Sequence, residues 1–305
     1  MDLGTKIEQK KEVGRGISIW SIGIFSGPSL ADLKPSPQVP NPILSARDVT
    51  DVQAQFVADP FMIKTQDAWH MFFEVMNSQT GKGDIGSAAS RDGLHWEYRQ
   101  IVLSESFHLS YPYVFYVGGE YFMIPESYEA NSMRLYRADS FPLKWSYVGP
   151  LLEGPWVDSS IFFFEGRWWI FSNPVFPENQ VLELFYADAV TGPWHRHPRS
   201  PLISGNNRIA RGGGRVIVLN NRPVRFTQDC FPVYGTTVRA FEVSLLTASD
   251  YGETELPFSP LLMAGQERWR SEGMHHIDPH FVDGEWLACV DGWRFELRED
   301  GKRKP

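Results

Sequence analysis

One stretch, residues 58–74, opens with Ala58-Asp59-Pro60, runs through Trp69 and ends at Glu74. It recurs in weaker form down the chain, and this repetition limits the fold more than any other feature. Internal repeats of this kind are read before local propensities, because they decide the architecture. Asp59-Pro60 is expected to open an apolar strand, Gln66-Asp67 to turn it, and Trp69 to Phe73 to bring it back. Proline can begin a strand but removes a ladder donor inside one, so Asp59 is expected at the strand's mouth. The copies run from Ser110 to Glu126 around Gly118-Gly119, from Val157 to Ser172 around Glu165-Gly166, and from Ile277 to Val290 around Asp283-Gly284. A divergent copy between Arg211 and Asp229 turns at Asn220-Asn221.

Each of the first three copies is followed by a second hairpin marked by a tryptophan, Trp96, Trp145 and Trp194, at intervals of 49 residues. A repeat of about fifty residues holding four short strands has the size of one propeller blade. The five copies therefore predict an all-β fold, a five-bladed β-propeller spanning residues 1–305 as one domain. Ile17 to Phe25 alternates like a strand but has no partner nearby, and the last copy lacks a second hairpin. A ring closed by the N-terminal strand joining the last blade leaves no exposed sheet edge. The charged ends, residues 1–16 and 298–305, are expected to be flexible.

Composition fits a large packed β structure. Of the 305 residues 42% are hydrophobic, and the 11 tryptophans and 21 phenylalanines can fill the space between face-packed sheets. The net charge of −8 and the lack of a long basic run argue against nucleic acid. No apolar run is long enough to span a bilayer. The N-terminal stretch has neither the charge pattern nor the cleavage site of a signal peptide, so the default expectation is a cytoplasmic protein. Two cysteines, Cys230 and Cys289, leave room for one bridge and exclude a disulfide framework.

In a propeller the inner strands line a common axis, so residues opening them gather at one mouth. Asp59, Tyr111, Asp158, the Arg211 region and Asp278 are expected to form that ring, with Glu74 and Glu126 at neighbouring strand ends. Clustered acids are costly unless paired or used. An Asp-Pro opening can also simply cap a turn, and the glycines after Arg211 can serve close backbone packing. Trp96, Trp145 and Trp194 are expected to be packing residues, and Asp229 to be bonded internally. His275-His276 invites a metal reading, but neighbours on a strand point to opposite faces and cannot easily share an ion.

The Ala58-Asp59-Pro60 opening and five short blades resemble the propeller glycoside hydrolases of family 43 and the related invertase and mannoside phosphorylase families. A closer resemblance runs through Trp20-Ser21-Ile22-Gly23-Ile24, Gly83-Asp84-Ile85-Gly86, His108 to Val114, Arg134 to Arg137, Arg225 to Cys230 and Tyr234-Gly235. These segments, in this order, are similar to the N-terminal domain of plant glucosamine inositolphosphorylceramide transferase and its bacterial stand-alone relatives. The resemblance implies a propeller and a sugar or glycoconjugate substrate, while transfer in the plant protein resembles the work of a separate domain.

Glycoside hydrolysis needs one carboxylic acid and one carboxylate flanking the bond. By the family-43 pattern Asp59 would be the base, with Tyr111 where a second aspartate stands and Asp158 where a glutamate acid stands. The leading expectation is a glycosidase-like enzyme with catalytic Asp59 and either Asp158 or Glu126 as acid. Glu74, Tyr111, Arg208, Arg211, His276 and Asp278 are expected to bind substrate. No cofactor is expected beyond a structural calcium ion that the resemblance would allow on the axis. The alternatives are a non-catalytic glycan-binding module of a glycosyltransferase pathway, or sugar transfer or phosphorolysis by the propeller itself.

Overall fold

A computed structural model describes residues 16–297. The expected flexible ends lie outside this range except for Gly16, which begins a strand. Among the described residues there are β-strands and single-turn 3-10 segments.

The strands form five antiparallel sheets arranged as five blades. Blade 1 contains Ala54–Lys64, Trp69–Asn77, Lys82–Ser90 and Glu97–Leu103. Blade 2 contains Ser110–Val117, Glu120–Glu126, Ser132–Ser140 and Lys144–Glu153. Blade 3 contains Trp156–Phe164, Arg167–Pro174, Glu183–Ala187 and His195–Arg196. Blade 4 contains Ile217–Leu219, Arg222–Asp229, Thr237–Leu246 and Tyr251–Glu255, with Leu262–Met263 paired to its third strand. Blade 5 contains Ile277–Val282 and Glu285–Leu297 followed by Gly16–Gly27 and Lys34–Pro35 from the other end of the chain. The pairing of Gly16–Gly27 with Glu285–Leu297 runs unbroken from Gly16 opposite Leu297 to Gly27 opposite Trp286. The N-terminal strand thus closes the ring as the repeat pattern predicts.

Bulky apolar side chains fill the seams between blades. Phe61 and Phe72 of blade 1 pack with Tyr113 and Met123 of blade 2 and Ile161 of blade 3 in one cluster. Burying a side chain of this size contributes about 1.5–3 kcal/mol, so the seams are held mainly by apolar burial. The repeated tryptophans belong to the packing: the indole N–H groups of Trp96 and Trp145 donate to the carbonyls of Gly93 and Pro142 at 2.9 and 2.8 Å, and Trp194 packs against the same cluster as Trp145. Cys230 and Cys289 are separate buried thiols.

Two features depart from the sequence expectation. Asp59-Pro60 lies inside the strand Ala54–Lys64, where the ladder shifts register between Ala58 and Phe61. A bulge leaves one residue unpaired, which removes the objection to proline there. Similar shifts occur at Tyr111 and Asp158, and all three residues adopt left-handed φ angles of +53°, +45° and +46°. Asp278-Pro279, by contrast, sits in continuous register opposite Cys289 and Ala288 and is not the counterpart of Asp59-Pro60. Counting seven residues back from the first turn residue of each inner hairpin gives Asp59, Tyr111, Asp158, Gly213 and His276.

Blade 4 is the irregular member because residues 211–215 leave the strand pattern and run against blade 5. The Ile277 N–H donates to the Gly213 carbonyl at 2.9 Å, and the Arg215 N–H donates back to the Ile277 carbonyl at 3.2 Å. Gly214 has φ +137°, and a Cβ there would lie 1.7 Å from the Ile277 carbonyl oxygen. The glycine run is therefore required by close backbone approach. Gly214→Ala is expected to lower the unfolding free energy by about 3 kcal/mol or more in urea titrations, because backbone must move. Gly149→Ala, where an added methyl meets nothing within 4 Å, is the control and should stay within about 0.5 kcal/mol.

Candidate functional site

The bulges aim side chains at the axis. A left-handed conformation costs an ordinary L-residue about 1–2 kcal/mol, least for Asp and Asn, so three such residues at equivalent positions need compensation. The neighbouring blades supply it. The Asp59 N–H donates to Asp291 Oδ2 at 2.9 Å, the Tyr111 N–H to Asp59 Oδ2 at 3.3 Å, and the Asp158 N–H to Glu126 Oε2 at 3.3 Å. In the same way the Gly212 N–H donates to Asn173 Oδ1 at 3.1 Å. Three of these acceptors belong to a second set, Glu74, Glu126, Asn173, Gln228 and Asp291, each of which stands seven residues after the second turn residue of its hairpin. Tyr111 is fixed through its hydroxyl, which accepts the Gly214 N–H at 2.7 Å and lies 2.8 Å from Ser160 Oγ.

Three predicted acids meet here with narrow solvent-facing edges: Asp59 is 6% exposed, Glu126 7% and Asp158 3%. Arg211 joins two of them, bonding Asp158 Oδ2 through Nε and lying 3.6 Å from Glu126 Oε2. Its remaining contacts are Asn179 Oδ1 at 2.8 Å and the Tyr234 ring at 5.2 Å. Gln228 also donates to Asp158 Oδ2, at 2.9 Å. Asp158 thus accepts from two donors. Burial, reinforced by the Asp158 charge, keeps the Glu126 carboxyl well above the usual range despite Arg211.

On the other side Asp59 faces two histidines. Its Oδ1 lies 3.6 Å from His275 Nε2 and 3.8 Å from His276 Nδ1. Both reach the same oxygen because they precede the strand Ile277–Val282 and are free of its alternation, contrary to the sequence expectation. His275 is further held by Asp291 Oδ1 at 2.7 Å from Nδ1 and by stacking on Trp20 with centroids 4.0 Å apart. Burial lowers the His275 pKa, but the Asp291 charge and hydrogen bond outweigh it and the net shift is upward. Burial pushes Asp59 up to about 7, partly offset by His275, with Asp291 and Asp158 adding to the rise. His276 is wholly buried, and burial takes it down to about 4.

The other expected residues fall outside this group. Asp278 lies a layer deeper, bonded to Arg215 and accepting the Met62 N–H at 2.6 Å. Burial opposes its ionisation, yet Arg215 and His280 hold it below the usual carboxylate range. Glu74 is buried with its Oε1 3.5 Å from His108 Nε2. Arg208 stays at the rim, its guanidinium 4.3 Å from the Phe231 ring and 3.9 Å from Asp229. Asp229 is bonded internally to Arg239, as expected. The rim is a set of linked loops: the Asn206 N–H donates to the Gln180 carbonyl and the Cys230 N–H to the Asn207 carbonyl. Phe231, against the Arg208 guanidinium, is exposed, as are Phe176 and Val233.

Asp59, His275 and Asp291 each bring a ligand atom within 4.8 Å of one another. Calcium takes about six to eight oxygens, and this set does not fit it. Both Asp291 oxygens are taken by N–H donors from Asp59, His275 and His276, which leaves Asp59 as the oxygen ligand of the set. His275 and Asp291 were not among the predicted binding residues. Aligning the hairpin copies by their turns would have found Asp291 as the counterpart of Glu126.

The raised Asp59 pKa makes a testable contribution to stability. Its folded-state proton is held up to about pH 7 against an ordinary 3.8, so the stabilisation is complete below the lower value and lost as pH rises through the upper. His276, lowered from 6.5 to about 4, has the opposite slope in an overlapping window, so the comparison must be between variants. Asp59→Asn, which keeps a left-handed-tolerant residue, should gain stability relative to wild type as pH is raised from about 4 to about 7, by denaturant titration at each pH. Parallel curves would show that Asp59 is ionised throughout.

Residues 14–293 match the family described as glucosamine inositolphosphorylceramide transferase 1, N-terminal. A rice relative of that name (Oryza sativa subsp. japonica) is 34% identical over 310 residues, covering 94% of this chain and 42% of the relative. The Arabidopsis thaliana protein is 36% identical over 297 residues, covering 90% and 39%. The chain therefore spans less than half the length of these relatives. Among solved structures, a putative glycoside hydrolase from Parabacteroides distasonis aligns with TM-score 0.62 at 11% identity, over 83% of this chain and 94% of that one. A thermostable family-43 glycoside hydrolase aligns with TM-score 0.59 at 12% identity, over 88% and 96%. At such identities the likeness establishes the propeller fold alone. The sequence match across nearly the whole chain is of a different order, and by it this protein belongs to the family of glucosamine inositolphosphorylceramide transferase N-terminal domains, a carbohydrate-related propeller.

Proposed function

We propose that the chain is a glycan-recognition propeller serving glycosyl transfer, with the sugar held at the axial mouth by Asp59, Glu126, Asp158 and Arg211. The observation that carries this reading is the Arg211 clamp, which joins Asp158 and Glu126 into one hydrogen-bonding surface. A fixed array of carboxylate and guanidinium edges suits sugar hydroxyls, which both donate and accept. Exposed Phe231, beneath Arg208 at the rim, offers an apolar face of the kind on which sugar rings settle. The family name supports the class of ligand, since glucosamine is a sugar and inositol a polyhydroxylated ring.

One observation favours a second reading as a glycosidase-like enzyme. Glu126 is held protonated by burial and the Asp158 charge, and Asp59 titrates near neutrality, which is the division of roles an acid and a base require. In that reading Glu126 donates the proton to the leaving oxygen and Asp59 activates water.

Titration calorimetry with a panel of monosaccharides and their methyl glycosides, alongside assays of nitrophenyl glycoside cleavage, separates the two. Recognition predicts saturable sugar binding with no product, and up to about tenfold weaker binding in Glu126→Gln, the loss of about one hydrogen bond. Turnover that disappears in both Glu126→Gln and Asp59→Asn would overturn recognition in favour of hydrolysis. Absence of binding to any sugar would end both.

A further inference from the structure

The end of the channel away from the mouth carries an apolar collar. Each inner strand runs from the mouth to its hairpin turn, and the residue two before that turn pairs across the hairpin in every blade. The pairs are Lys64 with Trp69, Tyr116 with Tyr121, Phe163 with Trp168, Val218 with Pro223 and Phe281 with Trp286. Tyr116, Phe163, Val218 and Phe281 are between 49% and 61% exposed. The aromatic pairs of blades 2, 3 and 5 are in ring contact, with centroids 4.7, 5.2 and 5.4 Å apart. In blade 1 the Lys64 Nζ lies 5.5 Å from the Trp69 ring instead. Exposed apolar side chains scattered singly are ordinary; repeated at one position around a ring, they make a face.

The size of that face and its charges say what covers it. Half-covered side chains of this kind leave about 400 Å² of apolar surface, close to the apolar share of the about 800 Å² that one partner gives to a standard interface. The charges at the turns differ in sign from blade to blade. Blade 1 presents Lys64 and blade 5 presents Asp283 and Glu285, all exposed and none in an ion pair among the described residues. Blade 2 presents Glu120, blade 4 Arg222, and blade 3 both Glu165 and Arg167. Glu120, Arg167 and Arg222 also hold Arg137, Asp188 and Glu242 of their own blades.

We propose that this face is the interface of a twofold dimer, in which a second copy of the chain packs collar to collar. In such a dimer the same surface meets itself. A twofold axis perpendicular to the channel of a five-bladed ring runs along one blade and exchanges the other four in pairs. Along blade 3 it sets blade 1 on blade 5 and blade 2 on blade 4. Lys64 then faces the partner's Asp283 and the partner's Glu285, Glu120 faces the partner's Arg222, and Glu165 faces the partner's Arg167. Asp67, beside Lys64, is the one turn charge left facing its own sign. Along blade 1 the axis would set Glu120 against Asp283 and Glu285, and along blades 2, 4 or 5 it would set Glu120, Arg222 or Asp283 against its own copy. Charge therefore selects one register. Both mouths face outward in this dimer, so the proposal does not depend on what the mouth binds.

The test is sedimentation velocity of the full chain across the micromolar range at fixed ionic strength. The expected result is a species of twice the chain's mass in reversible equilibrium with monomer. Phe163→Ser and Phe281→Ser should each weaken self-association at least about tenfold, because each substitution enters the interface twice. Lys64→Glu should weaken it as well, and adding Glu285→Lys to Lys64→Glu should restore it, since the two positions meet across the twofold. A monomer at every concentration overturns the proposal and leaves the collar to a different protein. A dimer indifferent to both phenylalanine changes uses another face and overturns it too. Failure of the charge-reversed pair to recover association overturns the register along blade 3, and the proposal with it.

Discussion

The structure depends on one pairing, the antiparallel ladder between the first described strand and the last. Until Gly16–Gly27 lies against Glu285–Leu297, blade 5 has no outer half and the ring has two open edges. Closure also builds part of the site. Asp291 lies on the closing ladder opposite Ile22, Trp20 on the same strand supports the His275 ring, and Asp291 holds both His275 and the Asp59 backbone. A long-range contact of this kind demands loop closure over most of the chain before it yields any stabilisation.

Once the ring closes, its centre becomes an electrostatic compromise. Desolvated carboxylates are costly alone and tolerable when shared among donors. The deeper layer reaches a complete solution, in which Asp278, Arg215 and the Met62 N–H satisfy one another. The mouth does not: the His276 ring is left without a hydrogen bond, and Asp59 and Glu126 keep protons at pH values where carboxyls normally ionise. Two layers of one channel, built from the same strands, thus differ in whether their polar groups are mutually satisfied. That contrast separates the satisfied layer from the unsatisfied one more clearly than residue type does.

Much of the fold was legible because hairpin turns and tryptophan spacing survive where the strands between them have drifted. The site was legible in part, for identifiable reasons. Asp278-Pro279 looks like Asp59-Pro60, but identity of a dipeptide says nothing about register, and counting from the turns assigns that position to His276. The bulges at Asp59, Tyr111 and Asp158 had no sequence mark, because no residue type demands them; they are held by acceptors donated from other blades. The shared approach of His275 and His276 to one oxygen depends on backbone leaving the strand pattern before Ile277, which alternation rules cannot foresee. Arg211 was identifiable as a charged residue in a glycine-rich stretch, whereas its bridging of Asp158 to Glu126 required three blades in place.

The left-handed bulge has an evolutionary implication. Its shape is maintained by neighbours that accept from the peptide N–H rather than by its own side chain: the same socket holds an aspartate, a tyrosine and a second aspartate in three successive blades, and the first of these aspartates in turn supports the bulge of the next blade. Such a mount lets a lineage exchange the chemistry at the centre of the ring by point substitution, with the scaffold unchanged. Propellers with one architecture can in this way drift between cleaving, binding and merely displaying a sugar.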